Sequence, residues 1–208
     1  MSFIAIMLLK KLIKKTPKNI RKIDIKSLTS ESRKVKNGYL FFAVKGTKVN
    51  GEIFINEAIR RGASAVVCSK TYKSNKNSKI IIKVKDVKKT LAYACSQFFN
   101  LKPKNIIAVT GTNGKSSVAE FYRQILLLNN LPVASIGTLG IRKKNNYKKT
   151  PLTTLDTISI HQELYNLKKS KIDNVIIEAS SHGLSQRRLD GIRFQAGVFT
   201  NISQDHMD

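Results

Sequence analysis

The chain has 208 residues, room for one large domain or two small ones, and its 41% hydrophobic residues are enough to fill a core. Lys and Arg number 38 against 13 acidic residues, a net charge of +25, yet only 9 of the 38 are Arg. The lysines lie as scattered pairs with no aromatic-interleaved basic stripe, which argues against a dedicated nucleic-acid binder and for a codon-level lysine bias, and leaves room for help in attracting an anionic substrate.

The N-terminal "MSFIAIMLLKKLIKK" has an apolar run, Phe3 to Leu9, too short to span a bilayer. No basic segment precedes it and no cleavage site follows, so it reads as a surface helix or strand with weak interfacial affinity at most. "GYLFFAV" (38–44) reads as a strand, and "EIFINEAIRRG" (52–62) as a helix stopped by glycine. "ASAVVCS" (63–69) and "KIIIKV" (79–84) are short β-rich runs separated by a polar loop. "DVKKTLAYACSQFF" (86–99) is a helix with Asp86 at its N-cap. Cys68 and Cys95 lie in apolar surroundings with no C-x-x-C and read as core residues of a protein in a reducing, cytoplasmic setting.

"NLKPKN" (100–105) is a turn-like joint, giving domains over 1–100 and 101–208. Beyond it strands and helices alternate: "IIAVT", a helix from about Ser116 to Leu128, "PVASIG", the helix "DTISIHQELYNLKK", then "NVIIEAS" and "FQAGVFTNI". That alternation predicts an α/β fold with a parallel sheet.

The informative stretch is "IIAVTGTNGKSS", Ile106 to Ser117. It resembles G-x-x-x-x-G-K-S/T, but the first glycine should fall at 109, which is Val109. A glycine turn between a buried strand and a helix is nevertheless where backbone N–H groups and a helix N-terminus converge on an anion. Gly111 and Gly114 permit the tight backbone, Lys115 can reach the β- and γ-phosphates, and the Ser116 hydroxyl suits Mg²⁺. The alternative is a turn that uses Gly and Asn for conformation alone.

"TGTNGKS" resembles the ATP loop of the Mur ligases, T-G-T-N/K-G-K-S/T, which lacks that glycine as standard. "EASSHGLSQRRLDGIRFQAGVFTNISQDHMD" (178–208) is more specific. It resembles the E-V/A-S-S-H-G-L…F-T-N…D-H-L/M-D block of the family branch that adds the third residue to the cell-wall peptide. "SESRKVKNGYLFFAVKGTKVNGEIFINEAIRRGASAVV" (30–67) resembles the uridine-binding domain of that branch. The resemblance implies a small mixed α/β uridine-binding domain followed by the first part of a P-loop-like parallel-sheet ATPase domain.

It further implies an ATP- and Mg²⁺-dependent amide ligase, cytoplasmic and monomeric at full length. The substrates would be UDP-N-acetylmuramoyl-L-Ala-D-Glu and a diamino acid, meso-diaminopimelate or L-lysine, joined through an acyl phosphate, with no nucleic-acid partner. ATP would lie on Gly111, Thr112, Asn113, Gly114, Lys115, Ser116 and Ser117. Lys115, Glu178 and His206 would carry the chemistry, with Ser116, Glu178 and His206 on the metal; His206 rests on the resemblance alone. The UDP-sugar peptide would meet Ser30, Ser32, Thr47, Lys48 and Val49, then Thr153, Thr154, Ser180, Gln186 and Arg188. His182 reads as active-site architecture and His161 as a surface helix residue.

Three positions depart from the family pattern: Glu31 and Asn50 stand where Asp is usual, and Leu152 where Asn is usual. The family continues past the D-H-M-D block to a carbamylated lysine and an amino-acid-binding domain, so no ligation is expected from these 208 residues alone. Two other readings remain, a different P-loop-like NTPase or kinase and a basic nucleic-acid-binding protein. The former has no reason to carry the S-S-H-G-L block, and the latter predicts steeply salt-dependent binding.

Overall fold

The computed structural model describes residues 6–47, 49–73 and 80–203, and the chain divides into two compact units, Met1–Phe98 and Phe99–Asp208. Lys48 and His206 lie outside the described residues.

The first unit opens with β1 (Met7–Leu8) and α1 (Leu9–Leu12), β1 pairing antiparallel with β2 (Asp24–Ile25). Of the N-terminal apolar run, Phe3–Ala5 lie outside the described residues and Ile6 is exposed, whereas Leu9 at its end and Leu12 beyond it are fully buried and serve the core. A four-stranded parallel sheet follows, ordered β3 (Ser27–Thr29), β4 (Tyr39–Phe42), β5 (Ala65–Ser69) and β6 (Ile81–Val84). The two central strands, β4 and β5, are the most apolar and most deeply buried, as expected where both faces of a parallel sheet are covered. On one face Phe41, Val66 and Cys68 pack with Ile55 and Ala58 of α2 (Ile55–Arg60). The run expected as one helix over 52–62 divides here: Gly51–Phe54 is a 3₁₀ turn and only the remainder is α. Asn50 caps that turn by accepting the Glu52 N–H at 3.2 Å, work an Asp would do equally well. α3 (Val87–Phe98) begins where Asp86 accepts the Lys89 N–H at 2.9 Å, as its sequence predicts. Cys68 and Cys95 are buried free thiols, and burial pushes the Cys68 thiol up to about 11.

The second unit is built on a six-stranded sheet. Its members are β7 (Asn105–Thr110), β8 (Val133–Gly137), β9 (Gly140–Arg142), β10 (Tyr147–Lys148), β11 (Asn174–Glu178) and β12 (Ala196–Phe199). The order is β10-β9-β8-β11-β7-β12, parallel from β8 to β12, with β9 and β10 added antiparallel. Residues alternate between the faces. Val109 and Ile176 meet Ala119 of α4 (Lys115–Leu128), while Ile106, Val175 and Ile177 meet Ile160, Leu164 and Leu167 of α5 (Thr157–Lys169). Each fully buried Leu or Ile on α5 contributes about 2 kcal/mol. From β7 the chain crosses to β8 on one side of β11; from β11 it passes through the short α6 (Ser181–Ser185) to β12 on the far side of β7. The carboxyl ends of β7 and β11 therefore flank a topological switch point, where open α/β sheets bind ligands.

His161 is fully buried, not on the surface as its helix suggested. Its Nδ1 lies 3.0 Å from the Lys102 amine and its Nε2 3.0 Å from the Asp190 carbonyl. With the ammonium donating to Nδ1, Nε2 carries the proton and donates to Asp190. Burial first, then the Lys102 charge, lowers its pKa to about 4. Because the folded pKa lies below the unfolded value, stability is complete above about pH 6.5 and is lost as pH falls toward 4. Urea titrations should show the chain losing about 2 kcal/mol between pH 7 and pH 5, a loss largely absent in His161→Gln.

Candidate active site

The glycine loop follows β7 directly. Gly111 and Gly114 adopt φ of +134° and +84°, a region costly for any residue with a Cβ. At Gly111 a Cβ would also stand 2.1 Å from Thr200 Oγ1, so the loop closes only on glycine. The segment after β12 braces it. Thr112 N–H donates to the Asn201 carbonyl at 3.1 Å, Asn113 N–H to Asn201 Oδ1 at 3.0 Å, and Thr200 Oγ1 to the Asn113 carbonyl at 2.6 Å. Lys115 folds back, its amine donating to the carbonyls of Gly111 at 2.5 Å and Thr112 at 2.8 Å. The N–H groups of Lys115, Ser116 and Ser117 are in the first turn of α4, where helical geometry provides no partner, and they form the anion-seeking end of the element. Ser117 itself is solvent-exposed.

Glu178 ends β11 beside this loop and is only 2% exposed. Ser116 Oγ donates to its Oε2 at 2.9 Å, Thr138 Oγ1 to the same oxygen at 3.0 Å, and Thr138 N–H to Oε1 at 3.1 Å. The carboxylate fits against β8 because residue 137 is glycine: a Cβ there would lie 2.0 Å from Oε1. Ser116 hydroxyl and Glu178 carboxylate thus form an oxygen-only pair beside the glycine loop, the donor type a hard cation takes. Among the described residues no three His, Cys, Asp or Glu side chains converge as a metal site. A cation here would complete its shell with water and phosphate oxygens, which is how Mg²⁺ is commonly held.

The residues expected to meet the acceptor continue the same network. Thr153 Oγ1 lies 3.0 Å from Thr138 Oγ1. Thr154, 1% exposed, donates from Oγ1 to the Glu178 carbonyl at 2.8 Å and accepts the Ser180 N–H at 2.9 Å. Ser180 Oγ caps α6 by accepting the Gly183 N–H at 3.1 Å. Arg188 donates from Nη1 to the Thr154 carbonyl at 2.6 Å and from Nη2 to Gln186 Oε1 at 2.8 Å. Gly111, Thr112, Lys115, Thr153, Thr154, Ser180, Gln186 and Arg188 all line one cavity of about 620 Å³, with His182 also on its wall.

In the first unit, Ser30 and Ser32 follow the carboxyl end of β3, and Thr47 and Val49 sit on the turn after β4, its neighbour. Ser30, Thr47 and Val49 are exposed, whereas Ser32 is buried and donates to Glu57 Oε2 at 2.6 Å. That bond, followed by the contact with Arg61, lowers the Glu57 pKa.

Sequence reading missed Gly137, Thr138, Thr200 and Asn201 as members of the site. Thr200 and Asn201 stand inside a quoted motif, but nothing in the motif says that they brace the loop. Thr138→Val removes a hydroxyl donor from a buried carboxylate and should cost about 2 kcal/mol, read as a lower urea midpoint at unchanged slope.

Two family models match this chain, "Mur ligase family, catalytic domain" over residues 24–99 and "Mur ligase middle domain" over 109–208. A UDP-N-acetylmuramoyl-L-alanyl-D-glutamate--2,6-diaminopimelate ligase of Brucella melitensis is 42% identical over 192 residues, covering 92% of this chain and 39% of its own length. The ligase of the same name from Mesorhizobium japonicum is 42% identical over 186 residues, covering 89% of this chain and 38% of its own. A solved structure bearing that ligase name superposes with a TM-score of 0.83 at 27% identity, covering 98% of this chain and 42% of that one. The chain spans about two fifths of the length of these curated relatives. With two family models in sequence order, one of them over the glycine loop and the Ser116–Glu178 pair, the chain belongs to the Mur ligase family.

Proposed function

We propose that this chain supplies the nucleotide and acceptor sites of a cytoplasmic, monomeric, ATP-dependent ligase that joins a diamino acid to UDP-N-acetylmuramoyl-L-Ala-D-Glu. The diamino acid is 2,6-diaminopimelate, the one in the relatives' names. The observation that carries this reading is that the phosphate-type loop and the Thr153–Thr154–Ser180–Arg188 group line one cavity. ATP and an anionic acceptor would therefore meet in the same space.

A carboxylate does not form an amide unaided, because its oxygen is a poor leaving group. In the proposed reaction an acceptor carboxylate oxygen attacks the γ-phosphorus and ADP leaves, giving an acyl phosphate. The amine then attacks the acyl carbon, phosphate departs, and the amine proton passes to solvent. The loop N–H groups and Lys115 hold the triphosphate and offset charge moving onto the β–γ bridge. Ser116 and Glu178 would hold Mg²⁺, which when bound neutralises charge between the phosphate oxygens. His206, in the family motif, is proposed as a further ligand to metal. Thr153, Thr154, Ser180, Gln186 and Arg188 orient the acceptor, turning a bimolecular encounter into a positioned one. Ser30, Ser32, Thr47, Lys48 and Val49 are proposed to hold the uridine end.

Titration calorimetry with UDP-N-acetylmuramoyl-L-Ala-D-Glu should show binding to the chain at least about tenfold tighter than UDP-N-acetylglucosamine. Arg188→Lys, which keeps the charge and loses the planar fork, should reduce that preference. Equal affinity for the two UDP-sugars would sink the acceptor assignment.

A further inference from the structure

A second concave site lies in the first unit, and neither the glycine loop nor the uridine-side residues account for it. It is a cavity of about 600 Å³, within the range of small-molecule sites. Six of its eleven lining residues are lysine: Lys14, Lys15, Lys70, Lys83, Lys85 and Lys89. Lysine makes up 29 of the 208 residues, about one in seven, so general lysine bias does not produce this concentration.

The six come from four separate segments. Lys14 and Lys15 follow α1, Lys70 follows the carboxyl end of β5, Lys83 and Lys85 flank the end of β6, and Lys89 sits in the first turn of α3. Lysine on the edge strand β6 alone would serve only to discourage edge pairing. Four segments bring these lysines to one concavity at the carboxyl ends of two parallel strands, beside the N-terminus of a twelve-residue helix, an end that favours anions.

Charge and shape agree. Asp86 is the one carboxylate among the lining residues, and one of its oxygens already accepts the Lys89 N–H at 2.9 Å. Among the described residues none of the six lysines forms an ion pair. The rest of the lining includes Ile13, Val84 and the Tyr93 ring, with the Lys14 amine 4.8 Å from the ring centre. The cavity shares no residue with Ser30, Ser32, Thr47 or Val49. We propose that it is a second binding site, for a small oligophosphate anion whose phosphates meet the lysines and whose apolar portion rests on Ile13, Val84 and Tyr93. A concave pocket with an apolar floor suits such a molecule better than a flat membrane or a duplex.

The test uses the whole chain and inorganic tripolyphosphate as probe, by titration calorimetry at 0.1 M salt. The Lys115→Ala background suppresses the glycine loop. Lys83→Gln, Lys85→Gln and Lys89→Gln together should weaken tripolyphosphate on the order of tenfold or more. The control combination Lys18→Gln, Lys22→Gln and Lys36→Gln removes the same charge from exposed positions of the same unit and should change affinity less than about twofold. All six positions are exposed, so folding should survive in both variants, and matching urea midpoints check that it does. Equal weakening by both combinations would mean diffuse attraction to a basic protein and overturn the site. So would absence of binding at 0.1 M salt, or a single-stranded oligonucleotide that binds more tightly than tripolyphosphate. None of these outcomes bears on the glycine loop, whose test is separate.

Discussion

Lys115→Ala should lower the affinity of the chain for MgATP on the order of a hundredfold, measured by calorimetry, while the chain stays folded. The amine now spends its hydrogen bonds on the Gly111 and Thr112 carbonyls, inside its own loop. Those bonds hold the ammonium within reach of whatever the loop encloses. In the nucleotide complex the same group is expected to meet phosphate oxygens, where charge-assisted bonds are the strongest contacts the site can offer. Losing it removes a full positive charge at short range from a triphosphate and leaves two carbonyls to water. The cost to stability is about 1–2 kcal/mol because the side chain is only partly buried. Lys143→Ala, on another loop, is the control and should leave MgATP binding unchanged. A Lys115 variant that binds MgATP as well as the parent would remove the loop from the nucleotide site.

Glu178→Gln should abolish most of the Mg²⁺ dependence of nucleotide binding. The amide has the size of the carboxylate, so it fits the space that Gly137 leaves. Its oxygen can still accept from Thr138 N–H, and its NH₂ can donate to the Ser116 or Thr138 hydroxyl, which turns to accept. The fold therefore tolerates the change, but the negative charge facing the cation is gone. ATP affinity in Mg²⁺ should fall by about tenfold or more, to the value measured in EDTA, and the EDTA value itself should hardly move. Glu178→Ala is the harsher variant, since it also strands the Thr138 N–H and opens a void in the sheet. Mg²⁺ stimulation that survives Glu178→Gln undiminished would show that the Ser116–Glu178 pair is not the cation site.

The readable features of the site were local ones. Val-Thr-Gly-Thr-Asn-Gly-Lys-Ser announces strand, turn and helix within a dozen residues, and the structure has them in that order. Gly137 and Thr138 were silent because their role depends on register. Ile177 pairs with Ile136 across β11 and β8, which brings Glu178 alongside Gly137, and nothing within either segment reports that pairing. The β9–β10 hairpin escaped notice for a related reason. Its strands, Gly-Ile-Arg and Tyr-Lys, are three and two residues long, with too little alternation to register as strands. His161 is different, because the signal was present: Thr157, Ile160, His161, Leu164 and Leu167 are the buried stripe of α5 at helical spacing. A histidine inside that stripe was already marked as buried. The uridine-side residues were reached only through family resemblance. Ser30, Ser32, Thr47 and Val49 carry no signal of their own until β3 and β4 are known to be neighbours.

Hydrogen–deuterium exchange of the whole chain, with and without MgATP, tests the nucleotide site most directly because it reports location as well as binding. Amides of Thr110–Ser117 and of Ala179–Ser181 should become protected together, since the loop after β7 and the end of β11 flank the same cavity. Protection should disappear in Lys115→Ala. If MgATP leaves both segments unchanged, or protects only residues of the first unit, the glycine loop is not the ATP site and the ligase reading of this chain fails with it.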